Sequence, residues 1–573
     1  MLESVKLRIF LTSRPDTRTE TRFDDIPQEK RRCFKLHNID AEIKSGGLFI
    51  WAATACNFVG SDSRFSRQRL SHLLNDSISI DDPKSELDKI YLTVLWSTVS
   101  ERHTTEKKVF IYSIVRLILG TMAVLVSPLP VVGLGALYQS EPRSSGVKRP
   151  EYKTISNLDI HLNLRHLSAI VDLPEDDHLP LRLHHPTLRE FILDEVRCTE
   201  QAFHVDTRQT HLTLAGCCVN IISQSWACSP PGQGIFGLDN PAVAVTDVSR
   251  SQLEQWLPAG VRYACLYWVH HLQQSGAKIH KNDSIDLFLR KNLLHWLEAL
   301  IWMRLSDGVR AIASLESMTI NPSVDAYIHD AKRFTLSSRY TIEPYPLQIY
   351  LSGLVFVPAQ STVRLLFKKE ALHWMHRMPS ISANWSLLLQ SLSGRVWSSR
   401  ALAFSPCGKI LASAAIRGAS KIVEVWDPVT GELLQAIDLP DLAVFVGFLR
   451  EEERLVVVSG GGTNRDHHIQ QRDPWTGECL QESSIPAEIG IFGAVALSEV
   501  GELLALMVDS RTIQVWDVLS GCCIRRLTGH ESEIIHAVAS KDGSVLASTT
   551  VDGAIYMWDT YKAQCLQVIQ NRH

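Results

Sequence analysis

A chain of 573 residues is too long for one hydrophobic core and implies about three or four domains. Apolar residues make up 45% of it and charged residues 21%, which excludes a disordered or fibrous polypeptide. Its net charge of −4 gives no basic signal for nucleic acid or an anionic membrane surface.

The first residues, MLESVKLRIFLTSRP, lack the three regions of a secretory signal. Within them, VKLRIFLT (5–12) is an apolar run that predicts a buried strand, broken by Ser13-Arg14-Pro15. A helix is predicted over 39–60, ending in the apolar LFIWAATACNFV. Residues 87–140 read as helical, with Pro128 as a boundary. Leu117–Ser140 carries no charge, but Pro128 and Pro130 interrupt it. It is too short on either side for the ~20 apolar residues a bilayer needs, so a buried helix, a turn and a second helix are expected. Residues 155–170 alternate and predict strands, and His185-Pro186-Thr187 opens an amphipathic helix with Leu188, Phe191 and Ile192 on one face. Further helices are predicted over 208–226, 250–275 and 285–315. The proline-rich stretch 321–358 reads as a mixed segment leading to the C-terminal region. Twelve cysteines are scattered without a C-x-x-C pair, so no zinc site or other cofactor is signalled, and a reducing, cytoplasmic compartment is expected.

From Leu388 onward the chain repeats. Asp427 follows Trp426, Asp473 follows Arg472, Asp517 follows Trp516 and Asp559 follows Trp558, at spacings of 46, 44 and 42 residues. A period near 40–45 residues ending in Trp-Asp is the pattern of a β-propeller blade. One blade cannot bury both faces, so blades stack and present a rigid surface to partners. The last repeat is the fullest, and a buried network of His530, Ser548, Asp552 and Trp558 is expected in it. The second has Arg472 in place of its Trp and is placed by its spacing. These Trp and Asp residues are read as blade architecture, and none as catalytic.

The order of LRIFLTSRP (7–15), GGLFIWAATACNFV (46–59), LHHPTLREFILDE (183–195), YACLYWVHHL (263–272), LLHWLEALIWM (293–303) and PLQIYLSGLVFVP (346–358), followed by the repeats, resembles the fungal NACHT/WD-repeat proteins of the STAND class, of the HET-E-like vegetative-incompatibility type. The resemblance implies a multidomain α + β chain. Residues 1–70 would be the remnant of an α/β NTPase core, 71–205 a winged-helix-like region and 206–335 a helical region. Residues 336–387 would be a linker, and 388–573 a partial propeller of about four blades. It also implies nucleotide-sensing roles for Arg14, facing a γ-phosphate, and His185, donating to phosphates. Each has a plainer reading: Arg14 as a surface residue before a turn, His185 as a helix start.

The family's phosphate loop, G-x-x-x-x-G-K-[ST], is not found in the chain. Tight nucleotide binding is therefore not expected, and the sequence reads as beginning inside the NTPase domain. Neither a G-x-S-x-G elbow nor an H-E-x-x-H pair occurs. The pairs His184-His185 and His270-His271 do not suit a shared metal, because adjacent helical residues point about 100° apart. The expectation is a non-catalytic scaffold whose propeller recognises a protein ligand, with loops 416–421 and 460–467 as contact candidates. Self-association is the other expected partnership. The alternatives are a nucleotide-dependent switch and a general WD-repeat adaptor.

Overall fold

The computed structural model describes residues 47–60, 69, 83–99, 103–139, 155–227, 232–238, 240–304, 308–370, 379–392, 398–417, 420–450, 453–460, 467–485, 495–498 and 503–570. The expected strand at 5–12 and Thr12–Pro15, with Arg14, lie outside the described residues.

The described part of residues 47–370 is a helical block with one continuous apolar core running from Ala55 to Phe367. Its first helices are α1 (Gly47–Gly60), α2 (Pro83–Trp96), α3 (Thr105–Val124) and α4 (Val131–Gln139). The uncharged stretch 117–139 therefore divides at its prolines as expected, and its helical halves are largely buried. No helix among the described residues is long and apolar enough to cross a membrane.

Residues 155–170 differ from the expected strands. Ser156 and Asp159 form a capping box that starts α5 (Asn157–Leu164), and a single 3-10 turn follows. The local cap outcompetes the alternating pattern. The two-residue strands β1 (Val171–Asp172) and β2 (Arg182–Leu183) pair nearby, antiparallel. Helix α6 (Pro186–Leu193) begins at His185 and buries Leu188, Phe191 and Ile192, as the sequence predicts.

Helix α7 (Thr207–Ser225) leads to two helices where 250–275 predicts one. They are α8 (Arg250–Trp256) and α9 (Ala259–Ser275), split at Pro258, whose missing N–H cannot continue α8. Residues 285–315 likewise form α10 (Ser284–Trp302) and α11 (Gly308–Glu316). The stretch 321–358 is far more ordered than a mixed connector. Asn321 caps a 21-residue helix, α12 (Pro322–Ile342), with Pro322 in its first turn. This helix buries Val324, Tyr327, Ile328 and Phe334, and it runs across the expected boundary at residue 335. Short helices α13 (Ser352–Val355) and α14 (Thr362–Leu366) pack into the same core through Leu354 and Val363. Residues 336–367 thus belong to the helical block and are not a linker.

A strap over residues 379–392 runs along α12 in the same direction, from Asp330 toward Tyr340. Trp385 Nε1 donates to Asp330 Oδ1 at 2.6 Å, and the Arg333 guanidinium lies 5.2 Å from the Trp385 ring centre. Arg333 Nη2 also donates to the carbonyl of Leu388 at 3.0 Å.

Among the described residues, the C-terminal region holds four antiparallel four-stranded sheets, each formed by consecutive strands. Blade 1 is β3 (Ser398–Phe404), β4 (Leu411–Arg417), β5 (Ser420–Asp427) and β6 (Glu432–Leu439). Blade 2 is β7 (Ala443–Phe448), β8 (Leu455–Ser459), β9 (His467–Arg472) and β10 (Cys479–Ile485). Blade 3 is β11 (Val495–Leu497), β12 (Leu503–Asp509), β13 (Thr512–Asp517) and β14 (Cys522–Leu527). Blade 4 is β15 (Ile534–Ala539), β16 (Val545–Thr550), β17 (Ile555–Asp559) and β18 (Gln564–Ile569). Separate apolar clusters join blade 1 to 2, blade 2 to 3 and blade 3 to 4. These are blades of a partial WD-type propeller.

Candidate interaction surface of the propeller

Each blade turns from its third to its fourth strand on an aspartate. Asp427 Oδ1 accepts from the amides of Val429 and Thr430 at 2.7 and 3.1 Å. Asp473 does the same for Trp475 and Thr476, Asp517 for Leu519 and Ser520, and Asp559 for Tyr561 and Lys562. The carboxylate satisfies two amides that no strand partner reaches, which is why an aspartate recurs here.

The preceding residue plugs the blade. In blade 4, Trp558 Nε1 donates to Ser548 Oγ at 3.0 Å, and His530 Nε2 lies 2.8 Å from the same oxygen. His530 Nδ1 reaches back to the Arg511 carbonyl of blade 3 at 2.9 Å. Burial pushes the His530 imidazole below its ordinary pKa, so it bridges the two blades in its neutral form. Asp552 does not join this network. Its carboxylate accepts from Thr550 Oγ1 at 2.6 Å and from the Ala554 amide at 3.2 Å, closing the local turn instead. Three of the four expected residues are brought together and the fourth is kept apart.

Blades 2 and 3 use a simpler bond. Trp516 Nε1 donates to Gln514 Oε1 at 3.1 Å, two residues earlier on the same strand. In blade 2, Arg472 Nε donates to Gln470 Oε1 at 3.0 Å, and Arg472 Nη1 to the Gly477 carbonyl at 2.9 Å. The guanidinium replaces the indole N–H with the same hydrogen bond at the same spacing, so the loss of Trp leaves the blade satisfied. Trp426 of blade 1 is buried.

The polar motif residues are therefore consumed inside the blades. Each turn also exposes a large apolar side chain, beside polar ones such as Thr476, Ser520 and Lys562. Two residues after each aspartate stand Val429, Trp475, Leu519 and Tyr561, all exposed, with Trp475 at 55% and Tyr561 at 59%. Large exposed aromatic and aliphatic side chains at equivalent places in successive turns make a contact surface of the kind interfaces use. The repeat period marks these positions in the sequence, but only exposure distinguishes them from core residues. Of the loops expected to make contacts, residues 418–419 and 461–466 lie outside the described residues. Lys421 beside the first is engaged within the propeller, its Nζ 3.0 Å from Asp441 Oδ1.

In the helical block, His185 is the N-cap of α6: its Nδ1 accepts from the Thr187 amide at 3.2 Å. Thr187 Oγ1 lies 2.9 Å from that nitrogen and 2.7 Å from Tyr91 Oη. The cap fixes the tautomer with hydrogen on Nε2, and burial lowers the imidazole pKa. His184 Nε2 lies 3.1 Å from the Ser168 carbonyl. Among the described residues no group of three or more His, Cys, Asp or Glu side chains is arranged to hold a metal.

A buried histidine pair went unmarked in the sequence. His211 Nδ1 and His271 Nδ1 are 2.8 Å apart, and His271 Nε2 is 2.8 Å from Tyr263 Oη, which accepts from the Val126 amide at 3.2 Å. These contacts are mutually consistent if Tyr263 donates to His271 Nε2 and His271 donates from Nδ1 to His211 Nδ1. Both rings are then neutral, and burial drives the His271 pKa down to about 3. A second buried polar group, Glu298, accepts from Trp302 Nε1 at 3.0 Å, the Ile235 amide at 2.9 Å and Tyr350 Oη at 2.7 Å. Burial raises its pKa to about 7 against those three donors.

The family model agrees with a WD-type propeller. The family described as WD domain, G-beta repeat matches residues 521–559, the third-to-fourth-blade repeat unit. The vegetative incompatibility protein HET-E-1 of Podospora anserina is 38% identical over 185 residues, covering 30% of this chain and 13% of that protein. The guanine nucleotide-binding protein subunit beta of Schizosaccharomyces pombe is 36% identical over 67 residues, covering 12% of this chain and 22% of the other. A chain in a crystal structure of the mitotic checkpoint complex covers 30% of this chain and 49% of its own length, with 22% identity and a TM-score of 0.25. The chain thus spans only about an eighth of the length of HET-E-1. It carries a WD-repeat region, with moderate similarity to HET-E-1 over less than a third of its residues.

Proposed function

We propose that this chain is a non-catalytic protein-interaction scaffold of the fungal NACHT/WD-repeat type, in which the propeller recognises a protein ligand. The observation that carries the reading is the division of labour in the blades. Their polar motif residues are spent on internal hydrogen bonds, while Val429, Trp475, Leu519 and Tyr561 are left exposed at equivalent turns. A role in non-self recognition follows from the likeness to HET-E-1 and rests on that likeness alone.

The second reading is a nucleotide-dependent switch. It is favoured by the His185 cap, whose tautomer leaves an N–H on Nε2 able to donate to a phosphate oxygen. A titration of the purified chain with fluorescent ATP and GTP in the presence of magnesium separates the two. The scaffold reading expects no binding up to millimolar nucleotide. Micromolar binding that weakens in Arg14→Ala or His185→Ala would replace it with the switch.

A further inference from the structure

The blades are tied by one recurring hydrogen bond. Gln435 on the outer strand of blade 1 donates from Nε2 to the Thr476 carbonyl in the aspartate turn of blade 2, at 3.0 Å. Gln481 of blade 2 donates in the same way to the Leu519 carbonyl in the turn of blade 3. Arg525 of blade 3 donates from Nε to the Tyr561 carbonyl in the turn of blade 4, at 2.9 Å. In each case the donor stands eight residues after its own blade's aspartate.

The turn of blade 1 has no blade before it in the described chain, yet its carbonyls are bonded. Gln390 Nε2 in the strap donates to the Pro428 carbonyl at 2.6 Å, and Arg339 of α12 donates from Nη1 to the Thr430 carbonyl. Gln390 lies 45 residues before Gln435, which is the repeat period. Packing follows the same rule. Gly477 of the blade 2 turn is flanked by Gln435 and Ile437, two residues apart on an outer strand. Gly431 of the blade 1 turn is flanked by Gln390 and Leu392, also two residues apart, and by Arg339. Both glycines hold positive φ, +71° and +76°, so the turn that is gripped is the same one. Arg310 of α11 adds an ion pair, Nη2 to Asp427 Oδ2 at 2.7 Å. Burial alone would raise the Asp427 pKa, but Arg310 and the two turn amides outweigh it and hold the carboxyl below its ordinary range.

We propose that strap residues Gln390–Leu392, backed by Arg339 and Arg310, take the place of a preceding blade's outer strand, so that the helical block is docked as the first unit of the propeller array. This goes beyond the scaffold reading and does not depend on it. The consequence is directional. The entry side of blade 1 is occupied by the helical block, and a second propeller cannot stack on the blade 1 turn. Position and register pass from α11 and α12 into blade 1 through residues 427–431, and from there blade to blade through Gln435, Gln481 and Arg525.

Hydrogen exchange of the full chain, read by mass spectrometry at peptide resolution, tests this with an internal control. Removing the grip in Arg339→Ala/Gln390→Ala should speed exchange across 427–439 by roughly tenfold or more, as expected for two lost hydrogen bonds, and leave 545–569 unchanged. Gln435→Ala should act in the same way on 473–485. If the double variant does not fold, Gln390→Ala and Arg339→Lys are read separately, each with a smaller increase confined to blade 1. The proposal fails if 427–439 keeps its wild-type protection while Gln435→Ala deprotects 473–485. It fails equally if all four blades lose protection together, because the contacts would then support overall stability and not the register of one blade.

Discussion

The helical block and the propeller bury their apolar residues in opposite ways. The block gathers residues from Ala55 to Phe367 into one continuous core. The propeller keeps separate clusters between neighbouring blades and fastens them with repeated polar ties. A single core transmits any defect throughout, whereas stacked repeats confine it to one interface. The two halves of this chain should therefore answer substitution differently.

The largest effect is expected in the block. Trp296 is fully buried, edge-on to Trp268 with ring centres 5.2 Å apart, and its Nε1 donates to the Cys265 carbonyl at 2.9 Å. Trp296→Ala should cost about 3–5 kcal/mol and lower one cooperative transition in calorimetry. A variant that melts α12 while α3 and α7 stay protected from exchange would contradict a single core.

Acid comes next, with two buried groups of opposite sign. His271 has its pKa lowered from 6.5 to about 3, so it binds fewer protons folded than unfolded. Its contribution is full above pH 6.5 and is lost as pH falls toward 3, at about 1.4 kcal/mol per unit within that window. His211 and His270, which face it, are lowered too and act in the same direction. Glu298 has its pKa raised from 4.5 to about 7, so its contribution is full below 4.5 and is lost as pH rises through 7. In His271→Gln the melting temperature should fall between pH 5 and 7 relative to wild type. In Glu298→Gln it should rise over the same range. Identical pH profiles for all three proteins would show that neither group is buried as described.

In the propeller the effects shrink and localise. Ser548→Ala leaves His530 and Trp558 without their shared partner and should cost about 1–3 kcal/mol. Exchange should rise in blade 4 and at Arg511, while blade 1 is spared. Smallest is Arg310→Ala. That guanidinium is half exposed, so its pair with Asp427 is screened and its loss should cost less than about 1 kcal/mol, less still in high salt. A larger, salt-independent cost would mean that the ion pair is shielded from solvent.

Much of the architecture was legible in sequence because it is local. Period and Trp-Asp spacing place the blades, and His185-Pro186-Thr187 places the start of α6. The misread segments are those where a cap or a buried face overrode the pattern, as at 155–170 and along α12. The candidate site was half legible. The turn aspartates and the His530, Ser548 and Trp558 network follow from the repeat, whereas Asp552 chose a nearer partner in its own turn.

By itself, then, the sequence determined which stretches are blades and which are helices, because periodicity, caps and turn residues act over a few positions. Only the tertiary structure decided who bonds whom across distance. It put Arg472 in the role of a tryptophan, set His211 against His271 across 60 residues, and brought Arg339 to the turn of blade 1. These pairings depend on which faces pack together, and packing brings together residues whose sequence separation carries no signal of contact.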